Sequence, residues 1–214
     1  MYQIKEMFYT LQGEGAHSGR PAVFCRFAGC NLWSGREQDR ATARCTFCDT
    51  DFVGTDGQNG GRFHSAAELA DRIAAFWPVG AADRYVVCTG GEPLLQLDPP
   101  LIEALHAQGF EIGVETNGTL PAPDGIDWLC VSPKGATATV LQQCDELKLV
   151  YPQAEAPPER FRLISARHYY LSPMNPPDGT ILTDSTAVRD AIQYCLAHPQ
   201  WKLTLQSHKL LQID

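Results

Sequence analysis

Arg84-Tyr85-Val86-Val87-Cys88-Thr89-Gly90-Gly91-Glu92-Pro93 runs without a break from an apolar segment into two glycines, a glutamate and a proline. Its apolar residues are continuous rather than alternating, which predicts a short strand over 84–89 covered on both faces. Gly90 and Gly91 let the backbone approach a ligand closely, with N–H and C=O groups turned toward a zwitterion such as an amino-acid moiety. Taken alone, the glycine pair is an ordinary strand-to-helix turn. The pattern recurs downstream: a strand over 110–116 runs into Glu115-Thr116-Asn117-Gly118, and one over 128–132 into Ser132-Pro133-Lys134.

Working outward, 21–27, 145–150, 169–171 and 202–205 read as further short strands, with 2–8 as another. Helices alternate with them. Ser65 and Glu68 form a capping box ahead of Leu69, Ile73, Phe76 and Trp77 at helical spacing. Pro99 and Pro100 open a second helix stopped by Gly109, and Asp184 or Ser185 starts a third. The alternation predicts the α/β class: a parallel sheet covered by helices, open or partly closed as a barrel, with right-handed crossovers. Ligands of such sheets gather at the carboxyl ends of the strands, where all three polar motifs fall. The glycine-rich stretch 54–61 and the proline-rich stretch 152–158 have no clear assignment, and neither divides the chain. Residues 1–214 read as one domain.

Cys30, Cys45 and Cys48 follow the strand at 21–27 as C-x14-C-x2-C, which puts them at the same rim. Structural zinc and most iron–sulfur clusters take four protein ligands, so three cysteines suggest a metal centre with an open coordination position. Two other readings stay open: buried core cysteines, or a zinc site completed by Cys25 or His64. The remaining Cys88, Cys130, Cys144 and Cys195 read as reduced core residues.

Formal net charge is -8 and the isoelectric point about 5.2, which argues against a phosphate-tracking surface and nucleic acid as ligand. Arg20, Arg26, Arg36, Arg40 and Arg44 run against that balance and read either as a basic patch near the metal or as a solvated helical face. Residues 1–6 lack a signal-peptide pattern, and no apolar run reaches membrane-spanning length. A reducing cytoplasm is the expected setting.

A three-cysteine motif followed by a strand ending in Gly90-Gly91-Glu92-Pro93 resembles the radical S-adenosylmethionine (SAM) enzymes, with the usual C-x3-C-x2-C widened. Residues 8–15, 26–32, Cys48-Asp49-Thr50, Thr89 to Pro93, Glu115 to Gly118, Ser132 to Lys134, Ser172-Pro173-Met174-Asn175 and Gln206-Ser207-His208-Lys209 stand in the order shown by the branch that makes 7-carboxy-7-deazaguanine. The likeness spans nearly the whole chain. Ser172, where a glutamine is common, and Asp214, where a proline is expected, depart from it.

The resemblance implies a compact, modified partial (β/α) barrel of the radical SAM type, with an insertion at 28–52 inside the cysteine motif. It implies a homodimer with a 4Fe-4S cluster on Cys30, Cys45 and Cys48, whose open iron chelates SAM. The activity it implies is radical conversion of 6-carboxy-5,6,7,8-tetrahydropterin to 7-carboxy-7-deazaguanine with loss of ammonia, toward queuosine and other deazapurines. Gly91, Glu92, Asn117, Ser132, Pro133, Lys134, Ser172, Pro173, Met174 and Asn175 are expected at SAM. Leu11, Gln12, Gly13, Glu14, Arg26, Thr89, His208 and Asp214 are expected at the pterin, and Thr50 at a magnesium ion beside Asp49. Arg26 offers a fixed fork for a carboxylate and Gln12 a donor–acceptor edge. A flavodoxin-like reductant is the implied partner, with the arginines at 20, 36, 40 and 44 as its docking surface. A glycyl-radical-activating enzyme and a zinc-binding interaction module are the alternative functions.

Overall fold

The computed structural model describes residues 1–175 and 185–213. Among the described residues nine strands form one sheet: β1 (Tyr2–Leu11), β2 (Pro21–Phe27), β3 (Gly61–Phe63), β4 (Tyr85–Gly90), β5 (Glu111–Thr116), β6 (Trp128–Val131), β7 (Gln143–Tyr151), β8 (Ser165–Pro173) and β9 (Trp201–Leu203). Their order is β3-β1-β2-β4-β5-β6-β7-β8-β9; β1 runs antiparallel to both its neighbours, and β2 and β4 to β9 are parallel. The strands expected from the apolar runs are all present, with β8 extending well beyond 169–171 and β9 ending at Leu203. β3 begins at the last residue of the unassigned glycine-rich stretch, and a three-residue edge strand leaves no period to read.

Two hydrophobic layers lie on the outer face. Leu69, Ile73, Leu101 and Leu105 of α1 (Ala66–Ala74) and α2 (Pro99–Ala107) join the core formed by β1, β2, β4 and β5. Ala191 of α3 (Thr186–Ala197) joins a second core with Leu147, Leu149, Leu171 and Trp201. Ser65 caps α1 by accepting from the Glu68 N–H at 3.1 Å, while the Glu68 carboxylate reaches the His64 N–H, one residue earlier than a capping box requires. Asp98 caps α2 ahead of Pro99 and Pro100, and Ser185 caps α3; Asp184 lies outside the described residues. The regular strand–helix alternation fails between β5 and β8. These connections carry Pro121, Pro123, Pro133, Pro152 and Pro157 and hold no α-helix.

Seven steps across the sheet separate β1 from β9, so a flat sheet would hold them roughly 34 Å apart at about 4.8 Å per step. They meet instead. The Gly13 carbonyl accepts from Ser207 N at 3.1 Å, and Gly15 N donates to Thr204 Oγ1 at 2.8 Å. The sheet therefore curls, and the connection 12–20 enters its concave side. Ala16 N donates to Glu146 at 2.9 Å, His17 stacks 4.2 Å from Trp128, and Arg20 forms a two-pronged pair with Glu111 under the Tyr85 ring. Among the described residues no helix is long and apolar enough to cross a membrane.

Candidate active site

The cysteine segment is bound to the β4 turn by its backbone. Gly91 N donates to Phe27 O at 3.2 Å, Glu92 N to Gly29 O at 2.9 Å, and Gly29 N to Phe52 O at 3.0 Å. A Cβ at Gly91 would collide with the Gly29 carbonyl and stand 2.9 Å from the Cys30 Cβ, so only glycine brings the two loops together. Arg40 lies 4.1 Å over the Trp33 ring, pairs with Glu37, and donates to Thr46 O and Cys48 O at 2.9 and 3.0 Å. Where β1 bulges between Ile4 and Glu6, the buried Lys5 bonds Val53 O, Asp56 and Asp51, fixing the chain just beyond Thr50.

Two adjoining chambers occupy the concave rim. The first, about 200 Å³, is lined by Cys45, Cys48, Gly91, Asn117, Ser132, Lys134 and residues 172–175, among others. The second, about 370 Å³, is lined by Leu11, Gln12, Gly13, Arg26 and His208, among others. Glu14, Asp49, Thr50, Thr89, Glu115, Lys148 and Gln206 belong to both and form their common wall. Lys148, 7% exposed, stands 2.9 Å from Glu14 and 2.9 Å from Glu115. Gln12 Nε2 donates to Glu115 at 3.3 Å, and Ser172 Oγ to Glu14 at 3.3 Å. Burial alone would raise Glu14 and lower Lys148. Lys148 more than offsets this for Glu14, which is lowered, while the surrounding Cys130, Glu115, Glu14 and Glu146 hold Lys148 well above the ordinary lysine value. Glu146, beneath them, is raised by burial.

Most of the residues expected at the rim line one chamber or the other. Three do not. Glu92 is fully buried behind the turn, accepting from Thr116 Oγ1 at 2.7 Å, Asn117 N at 2.8 Å and Leu94 N at 3.0 Å; it shapes the turn without reaching the chamber. Pro133 is buried next to the Ser132–Lys134 contact and lines neither chamber. Asp214 lies outside the described residues. Gln12 has both ends of its amide engaged, with its oxygen accepting from Glu14 N at 3.1 Å, and Arg26 meets Glu6 through Nε at 2.7 Å. Burial lowers His208, whose ring packs against Gly13.

Other expectations are corrected. Cys25 is wholly buried in the β2 core with its thiol raised well above the ordinary value by burial, and exposed His64 lines neither chamber, so neither completes a zinc site. Arg20 is held by Glu111 at the opposite end of the strands, away from the cysteine loop, and Arg40 is half-exposed with its guanidinium braced against Glu37, Thr46 O and Cys48 O. Lys148 carried no sequence assignment, and Glu115 entered only as the first residue of the Glu115–Gly118 motif, with no role of its own. Their signal was there: charged residues at alternate positions in strands otherwise apolar, which a doubly covered strand does not bury at little cost.

All three cysteines are free thiols. A hydrogen bond between Cys45 and Cys48 lowers Cys48 to about 6 and raises Cys45, and the charge of Lys134 favours both thiolates. Among the described residues no three His, Cys, Asp or Glu side chains converge on one metal ion. Three thiols on one loop are the donor set that leaves one iron of a 4Fe-4S cluster open.

The class this fold and rim define is the radical SAM superfamily, whose family model matches residues 38–166. The match begins beyond Cys30, inside the widened motif. Over 212 residues, 99% of either chain, the sequence is 63% identical to the 7-carboxy-7-deazaguanine synthase of Bordetella pertussis. It is 64% identical, with the same coverage, to that of Bradyrhizobium diazoefficiens. The crystal structure of QueE from Escherichia coli superposes with a TM-score of 0.69 at 28% identity, covering 95% of this chain and 93% of that one. The chain belongs to the 7-carboxy-7-deazaguanine synthase family, radical SAM enzymes of queuosine biosynthesis. Membership implies a 4Fe-4S cluster and SAM, and sets aside the glycyl-radical activase and zinc-module alternatives.

Proposed function

We propose that residues 1–214 act as one unit that converts 6-carboxy-5,6,7,8-tetrahydropterin to 7-carboxy-7-deazaguanine, with ammonia as the other product. The observation that carries this reading is the pair of chambers meeting at one polar wall. We read the curled sheet as a partial (β/α) barrel, with residues 28–52 as an insertion that brings the cysteines over its rim.

Cys30, Cys45 and Cys48 would hold the cluster. Gly91, Asn117, Ser132, Lys134 and residues 172–175 would hold SAM in the first chamber, with Glu92 and Pro133 shaping the turns that present them. When bound, the cluster and SAM supply the radical that removes hydrogen from the pterin. The outer edge of the Arg26 guanidinium would meet the pterin carboxylate, and Leu11, Gln12, Gly13, Thr89 and His208 would surround the ring. Thr50, on the common wall, would offer an oxygen to a magnesium ion that keeps waters and shares the substrate, with Asp49 orienting one of those waters. Closing both chambers against solvent protects the radical, which is the protein's main contribution beyond orientation.

A cytoplasmic homodimer reduced by a flavodoxin-like protein completes the reading. The deciding experiment is anaerobic incubation with the carboxytetrahydropterin, SAM and reductant, followed by mass detection of 7-carboxy-7-deazaguanine. Absence of that acid from a preparation with full iron content would sink the assignment.

A further inference from the structure

Lys148 is an ammonium held inside the curled sheet, and its partners come from distant parts of the chain. Glu14 lies on the connection after β1, Glu115 on β5, and Lys148 on β7. Lys148 Nζ is 3.0 Å from Glu115 Oε1 and 2.9 Å from Glu115 Oε2, so the proton between them has a short path in either direction. Charges this deeply set cost several kcal/mol each to desolvate, and a pair gives little net stability over apolar packing. The pair also faces both chambers, where the reacting carbon must lie between cofactor and pterin. Cys130 and Glu146 close the space on the sheet side, and His208 faces Glu14 from α4 (Ser207–Leu211).

We propose that Lys148 and Glu115 are the acid–base pair that completes the loss of ammonia, Lys148 giving the departing nitrogen its proton and Glu115 taking one from the neighbouring ring carbon. This rests on the function proposed above and adds the residues that finish the reaction. The carbon–nitrogen bond breaks with its electron pair leaving on nitrogen, which takes the Lys148 proton and departs as neutral ammonia. The carbon–hydrogen pair becomes the new C=C bond as Glu115 accepts that proton. Nothing is oxidised or reduced in this step. Glu115 is then a carboxylic acid in hydrogen-bond contact with a neutral Lys148 amine, and one proton transfer along that bond restores both for the next turnover. Glu14 keeps Lys148 in place throughout.

The test uses reconstituted full-length Lys148→Arg and Glu115→Gln enzymes beside wild type. Arginine keeps the charge between the carboxylates but does not give up its proton, and glutamine keeps the shape of Glu115 without its basicity. Substrate should be consumed within about threefold of the wild-type rate, whereas ammonia and deazaguanine should fall on the order of 10²-fold or more. A species retaining the nitrogen and having the substrate's mass should accumulate. Binding of the pterin to each variant without cluster, followed by tryptophan fluorescence, should stay within a few-fold of wild type. Product keeping pace with substrate consumption in either variant would overturn the proposal. So would a parallel loss of binding, substrate consumption and product, or failure of both variants to fold, since each assigns the pair to structure alone. Wild type is the control for the underlying reading: if it makes no deazaguanine, the substrate assignment fails, whereas an active wild type with coupled variants removes only this inference.

Discussion

Glu14 and Glu146 show how one side-chain type is driven in opposite directions within a single cavity wall. Glu14 is ionised beside Lys148, so its stabilising contribution is present above the ordinary glutamate value of about 4.3 and is lost as pH falls through its lower folded value. Glu146 is raised by burial; its contribution is complete below that ordinary value and is lost as pH rises toward the folded one. Glu14→Gln should therefore lower stability at pH 7 by about 1–3 kcal/mol, and the difference from wild type should shrink below pH ~4. Glu146→Gln should gain on wild type over the same rise in pH. Urea midpoints at the two pH values measure both, and parallel curves would show that the two groups titrate alike. At the rim, Cys45→Ala should lose iron and activity together, because Cys25 is sealed in the core and does not substitute; a variant with full iron and turnover would remove Cys45 from the ligand set.

The connection between β1 and β2 decides what the concave face contains. Gly15 has φ of +70°, and an added Cβ would collide with the Glu146 carboxylate. Gly15→Ala should cost about 1–3 kcal/mol and disturb substrate affinity more than iron content, because the strain lies under Gln12 and Glu14 and away from the cysteines. Chemical denaturation and pterin titration check the two halves of that expectation. The β4 turn depends on Glu92 in a different way. Its carboxylate receives three donors, so Glu92→Gln turns an amide N–H toward one of them and should destabilise by about 1–3 kcal/mol, loosening SAM binding through Gly91 and Asn117. Equal SAM affinity in wild type and variant would show that the turn holds its shape without that charge. Helix caps at Ser65 and Ser185 were legible because each is a short-range hydrogen bond, and the start of α2 was legible from Pro99 and Pro100. The missing helices between β5 and β8 were not, since a parallel strand pair demands a crossover but not a helical one.

At the scale of the whole molecule, a net charge of -8 makes approach by an acidic reductant unfavourable except where local positive charge remains. With Arg20 and Arg40 committed to internal partners, Arg36 and Arg44 are left to carry the proposed docking. Turnover driven by flavodoxin should then fall more steeply with ionic strength than turnover driven by a small chemical reductant, and Arg36→Glu should lower turnover at low salt and flatten that dependence. Equal salt dependence with both reductants would remove this surface from consideration. The apolar runs, glycine turns and cap residues by themselves determined the strands, the helix starts and the rim at which chemistry would gather, because those signals act over a few neighbouring residues. The cysteine spacing likewise marked a metal centre, and the ordered motifs its family. Only the tertiary structure decided that Arg40 braces the cysteine turn, that Glu92 stands behind the glycines, and that Lys148 lies between Glu14 and Glu115. Each of these depends on how far the sheet curls, and curvature is set by packing across the whole sheet, which no local pattern encodes.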